Sequence, residues 1–151
     1  MKQMKNKTLA TWLALVGGAF GLHRFYLYGM RDWLGWFLPI PSLLGIYGIV
    51  RANLIGLDDP WSWVLVPFVG ITVSSCALVA ILYGLMSREK WNARFNATAG
   101  EESVAGGTNW YTIFAVVLAL MFGTGVLMAT LAWSLYNYFN WQIEEGRKIS
   151  E

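Results

Sequence analysis

Four long apolar blocks separated by short polar breaks run along the chain. The first, residues 8–28, is interrupted only by His23 and Arg24; the second, 33–50, has room to continue to Leu57 past Arg51. The third and fourth, 61–86 and 110–139, contain no Asp, Glu, Lys or Arg. A helix crossing a hydrocarbon layer of about 30 Å needs around 20 mostly apolar residues. The pattern therefore predicts an all-α integral membrane protein, a bundle of four transmembrane helices. The last two blocks exceed a perpendicular crossing, so tilt or interfacial ends are expected.

The breaks have their own chemistry. Gly29 suits a left-handed cap, and the turn over 30–32 is short enough to make the first two helices antiparallel neighbours. Asp59 before Pro60 reads as an N-cap followed by proline at the first helical position, which accounts for Asp58 and Asp59 better than a cation site, where several more oxygens are needed. Pro39 and Pro41 in the second block and Pro67 in the third each remove a backbone donor and predict kinks. A re-entrant second segment is the alternative, but a kinked span is preferred because irregular backbone in lipid needs protein or water around it. Residues 87–109 form the one sizeable polar stretch, a loop with Arg88, Glu89, Lys90, Arg94, Glu101 and Glu102; the divisions that follow are a third helix over 58–86, that loop, a fourth helix over 110–141 and a polar tail over 142–151.

Composition agrees with lipid as the solvent: 56% of residues are hydrophobic and 13% charged, where a soluble domain carries about a quarter charged. The net charge of +2 comes without a dense basic run, so no nucleic-acid partner is expected. Cys76 is the single cysteine and reads as a packed thiol. Most of the nine tryptophans stand at block edges, where amphipathic rings favour the headgroup region. Lys2, Lys5 and Lys7 before an apolar stretch resemble a secretory signal, but the apolar pattern continues through Phe25, Tyr26 and Leu27, so this reading is rejected. The acceptor-like triplets beginning at Asn6 and Asn96 carry little weight.

Lipid removes the usual hydrophobic drive between helices, leaving close approach through small residues. Ala10, Ala14 and Gly18 in the first block, with the pair Gly17 and Gly21, offer such a face. So do Gly48, Ala52 and Gly56, then Cys76, Ala80 and Gly84, and finally Ala115, Ala119 and Gly123. Arg24 lies near the first face and needs a carboxylate, carbonyls or a lipid phosphate. With four crossings, Asp32 and Glu89 are its reachable acids, and Arg51 shares its side with Asp58, Asp59, Glu144 and Glu145. An interfacial anchor is favoured for Arg24 over a switch. His23, the one histidine, makes no metal site alone. No acid falls within a block, and no zinc, nucleophile-elbow or phosphate-loop motif is present, so neither an ion-coupled pump nor an enzyme is expected, and no cofactor.

The run Gly17, Gly18, Ala19, Phe20, Gly21, Leu22, His23, Arg24, Phe25, Tyr26, Leu27 resembles the signature of the two-transmembrane (TM-two) domain family, over about residues 5–57. That resemblance implies a helical hairpin whose motif residues are Gly17, Gly18, Gly21, His23, Arg24, Phe25, Tyr26 and Leu27. His23 stands where animal members have an acid, Tyr28 intervenes before Gly29, and Arg51, Ala52 and Asn53 stand where an acid is common. The stretch Lys90 to Arg94 looks like that of longer proteobacterial members, which implies a bacterial inner membrane. The expected role is a non-enzymatic membrane protein that assembles with itself or another membrane protein through 17–26; the alternative is a small passive channel or lipid-binding protein using Arg24. Orientation is left open, with six basic residues on one side and five on the other. The N-terminal lysines favour a cytoplasmic N-terminus, whereas the animal relatives imply the reverse.

Overall fold

The computed structural model describes residues 4–57, 59–97 and 103–150, and among these the regular structure is entirely helical. Asp58, Glu101, Glu102 and the Thr98 of one acceptor-like triplet lie outside them. The order is α1 (Lys7–Gly17), a 3-10 turn (Gly18–Phe20), α2 (Leu22–Tyr28), α3 (Trp33–Phe37), α4 (Pro39–Leu54), α5 (Pro60–Leu85), α6 (Arg88–Phe95), a second 3-10 turn (Val104–Gly106) and α7 (Trp110–Ser150).

The packing is the inverse of a soluble core. Ala10, Ala14, Ala77, Ala80, Ala115 and Ala119 are buried, while Ile40, Leu43, Phe68, Leu78, Leu120 and Phe122 face outward. Small residues let backbones approach, and large apolar side chains are left for lipid. The faces on α1, α5 and α7 agree with this arrangement: a Cβ on Gly18 would meet Cys76, one on Gly84 would meet Val116, and one on Gly123 would meet Ala77. The face on α4 is different. Ser42, Gly45 and Gly48 are its buried residues, not Gly48, Ala52 and Gly56. Gly56 falls beyond the helix end at Leu54, in a turn where its φ is 129°.

Among the described residues, three helices are long and apolar enough to cross a membrane: the combined α3 and α4, α5, and α7. The first of the four expected crossings folds back on itself instead. α1 is only 11 residues long, the chain turns over Gly18–Phe20 and Gly21, and α2 returns beside α1. Gly17 abuts Leu22, Ala10 clusters with Leu27, and the Asn6 N–H donates to the Tyr26 hydroxyl at 2.8 Å. Both ends of residues 8–28 therefore lie at the same end of the bundle. The tip reaches inward as far as Ser42, whose hydroxyl donates to the Ala19 carbonyl at 2.7 Å. Glycine supplies the reversal: Gly21 has φ 77°, and a Cβ there would lie 2.2 Å from the Gly35 carbonyl oxygen.

The second segment is kinked and not re-entrant. α3 ends at Phe37, and Pro39, lacking an N–H, starts α4 at its first position after Leu38, with the chain continuing to Leu54. Pro67 sits inside α5 without ending it. The polar loop expected over 87–109 contains α6, and the polar tail expected over 142–151 is helical to Ser150, as the last part of the 41-residue α7. Polarity does not terminate a helix, and Lys148 with Glu145 adds an i, i+3 pair at 3.5 Å.

Candidate functional site

The motif residues are spent largely on holding the re-entrant hairpin. Gly17, Gly18 and Gly21 permit its contacts with Leu22, Cys76 and Gly35. His23 is 2% exposed, with its ring 6.1 Å from that of Tyr83, and its Nδ1 has no hydrogen-bond partner. The Phe25 ring packs tilted against Trp36, centroids 5.2 Å apart, and lies against Gly35. Leu27 joins Ala10 and Trp91 in one cluster. Tyr26 holds the N-terminal strand of chain through Asn6, with the Lys5 ammonium 4.8 Å from its ring.

Arg24 is bound to Asp32 by two hydrogen bonds, Nε to Oδ2 at 2.5 Å and Nη2 to Oδ1 at 3.1 Å, and its guanidinium lies 5.0 Å from the Tyr28 ring. Of the two reachable acids, Asp32 is the partner. The same carboxylate caps α3, accepting from the Gly35 N–H at 2.9 Å. Trp36 closes the turn, its indole N–H donating to the Met30 carbonyl at 2.9 Å.

The next turn repeats this device almost atom for atom. Arg51 donates from Nε and Nη2 to Asp59 at 2.9 and 2.8 Å. Asp59 caps α5 through the Ser62 N–H at 3.0 Å, and the Trp63 indole donates to the Leu57 carbonyl at 2.9 Å. Gly29 and Gly56 occupy equivalent places with φ of 88° and 129°. Each of Arg51, Gly56, Asp59 and Trp63 stands 27 residues beyond Arg24, Gly29, Asp32 and Trp36. One crossing separates the two turns, so they lie at opposite ends of the bundle. The spacing Arg, Gly five on, Asp eight on and Trp twelve on was present in the sequence as the signal; the reading by blocks passed over it. Arg24 holds the Asp32 carboxyl below its usual range, with the Gly35 N–H adding to this against desolvation; Arg51, then Ser62, does the same for Asp59.

A polar cap closes the N-terminal end. Lys7 is fully buried, its ammonium donating to the Met86 carbonyl at 2.8 Å and the Thr108 hydroxyl at 2.6 Å. The Trp91 indole and the Asn96 amide both donate to the Lys5 carbonyl, at 2.8 and 3.0 Å, and Asn96 accepts from the Lys5 N–H at 2.7 Å. Thr8 and Thr112 share a hydrogen bond at 2.7 Å. Sequence reasoning missed Lys7, Trp91 and Asn96, because their partners are about 80 to 100 residues away.

Long apolar helices with small residues inside and large apolar ones outside define an all-α integral membrane protein. Within that class, residues 3–52, about a third of the chain, match the model of the TM2 domain family. No curated protein and no solved structure matches the chain. The matched region ends within α4, and α5 to α7 lie outside it.

Proposed function

We propose that the chain is a non-enzymatic, multi-pass protein of the bacterial inner membrane that assembles with copies of itself or with another membrane protein. The observation that carries this reading is α7. At 41 residues it is about 60 Å long by its rise per residue, well beyond the bilayer's hydrocarbon thickness. Its outer side is bare, with Gly125, Ala129 and Ala132 exposed and nothing within 4 Å of a Cβ on Gly125. Beyond Trp141 every residue whose side chain is described is exposed, and a lone helical stretch of that length is marginal in water without a partner. The assembly surface thus passes from 17–26, whose residues are engaged within the chain, to α7. Arg24 is likewise engaged by Asp32, which disfavours it as the cation of a channel or lipid site.

The fold also supports an orientation. With both ends of the first segment at one end of the bundle, Lys5, Lys7, Arg24, Arg31, Arg88, Lys90 and Arg94 gather there, against Arg51, Arg147 and Lys148 at the other. Among the described residues, seven against three points the N-terminal end to the cytoplasm under the positive-inside rule. Crosslinking in native membranes tests the assembly: a product containing a second chain, weakened by Gly125→Val, is expected. Recovery of monomer alone sinks the reading.

A further inference from the structure

The basic end of the bundle has more to it than a count. Among the described residues its seven cations face only Asp32 and Glu89, a net charge of +5, whereas the opposite end balances three cations against Asp59, Glu144 and Glu145. Lys7 and Arg24 are consumed by internal hydrogen bonds. Three of the remaining five stand on α6. The inward side of that helix is Trp91, fully buried, and Asn92, 1% exposed, and hydrogen bonds to Lys5 and Ser103 fix it against the bundle. Arg88, Lys90 and Arg94 are exposed, with no salt bridge to a described acid. The one acid of α6, Glu89, is held by a backbone N–H and the Ser87 hydroxyl at the start of the helix, with Arg88 as its nearest charge.

Depth and rigidity complete the picture. Trp91 and Phe95 on the inward side of α6 pack against Tyr83 of α5, with ring centroids 4.5 to 6.3 Å apart. Trp110 and Tyr111 at the same end are 79% and 71% exposed, as aromatic side chains at headgroup level are. Arg88, Lys90 and Arg94 are thus three exposed cations on a helix held against the bundle, at the end where Trp110 and Tyr111 are exposed.

We propose that α6 binds anionic phospholipid headgroups of the leaflet at the N-terminal end, through Arg88, Lys90 and Arg94. The inference rests on the membrane-embedded reading of the chain and names the lipid chemistry of one face of it. Each basic side chain near an anionic surface contributes about fivefold in binding. The test uses the full chain, purified and exchanged into mixed phosphatidylglycerol and phosphatidylcholine, with retained lipids counted by native mass spectrometry. The wild-type chain should retain phosphatidylglycerol preferentially, and Arg88→Gln with Lys90→Gln and Arg94→Gln should reduce that preference about tenfold or more. Arg88→Lys with Arg94→Lys should keep most of it, as should Arg147→Gln with Lys148→Gln at the other end.

Three results overturn the proposal: no preference in the wild type, an unchanged preference in the triple variant, or equal losses from changes at both ends. Inorganic phosphate that displaces the lipid at low concentration also overturns it, since the site is then one for a free anion. If the triple variant melts early, the single variants decide, a graded loss at each supporting the proposal and none refuting it. Failure of every chain, wild type included, to insert into membranes would instead remove the membrane reading itself.

Discussion

At the scale of single residues, each of the two arginine–aspartate turns places a hydrogen-bonded ion pair where the chain changes direction. Each aspartate serves an arginine and a helix N-terminus at once, so a neutral substitution removes both. Asp32→Asn and Asp59→Asn should each lower the melting temperature by several degrees, Asp59→Asn more, because its side chain is 6% exposed against 16% for Asp32. Lying at opposite ends, the two changes should add in the double variant, as read by thermal unfolding in detergent. Both carboxyls titrate below their ordinary value near 3.8, so their contribution is fully present above that pH and is lost as pH falls through the depressed values. A melting temperature insensitive to these pairs between about pH 5 and 8, with their loss confined below about pH 4, is the expected profile; a drop near pH 6 that Asp59→Asn abolishes would contradict it. The capping role of Asp59 was legible locally, since it needs only residues three apart. The pairing of Arg24 was half legible: Asp32 and Glu89 were both in reach, and the geometry of the Gly29 turn chose between them.

At the scale of elements, contact through small residues sets the tolerance of each face. A Cβ at Gly45 would lie 2.3 Å from the Val69 backbone nitrogen, which cannot yield as a side-chain tip does. Gly45→Val should therefore cost about 3 kcal/mol and separate α4 from α5. Gly125→Val, with open space around it, should change stability by no more than about 0.5 kcal/mol while weakening assembly. Denaturation of the two variants, with crosslinking of the second, separates packing from partnership. The faces on α1, α5 and α7 could be read from four-residue spacing alone. The face on α4 could not, because spacing says nothing of where a helix ends, and Gly56 lies past that end.

At the scale of the whole molecule, the decisive feature is the direction of the first segment. Four crossings put residue 4 on the same side as Ser150, whereas the re-entrant hairpin puts it with Ser87. In a Cys76→Ala background, Met4→Cys and Ser87→Cys should therefore react together with an impermeant thiol reagent from one side, and Ser150→Cys from the other. Labelling of Met4→Cys with Ser150→Cys would restore the fourth crossing. The same arrangement converts a basic balance of six against five into seven against three among the described residues, and so supplies an orientation that the block pattern left open.

The sequence by itself determined the class of protein, because apolar length and the scarcity of charge are properties of composition along the chain. It also determined the cap at Asp59 and the end of α2 at Gly29, whose φ is positive but whose ψ of 174° is extended and not left-handed helical; both depend on neighbours a few residues away. Only the tertiary structure decided that residues 8–28 turn back, since hydropathy measures how much apolar chain is present and not where it goes. The glycines that looked like a packing face also make that reversal possible, and the partners that hold it, Asn96, Trp91 and Ser42, come from distant helices that no local pattern brings together.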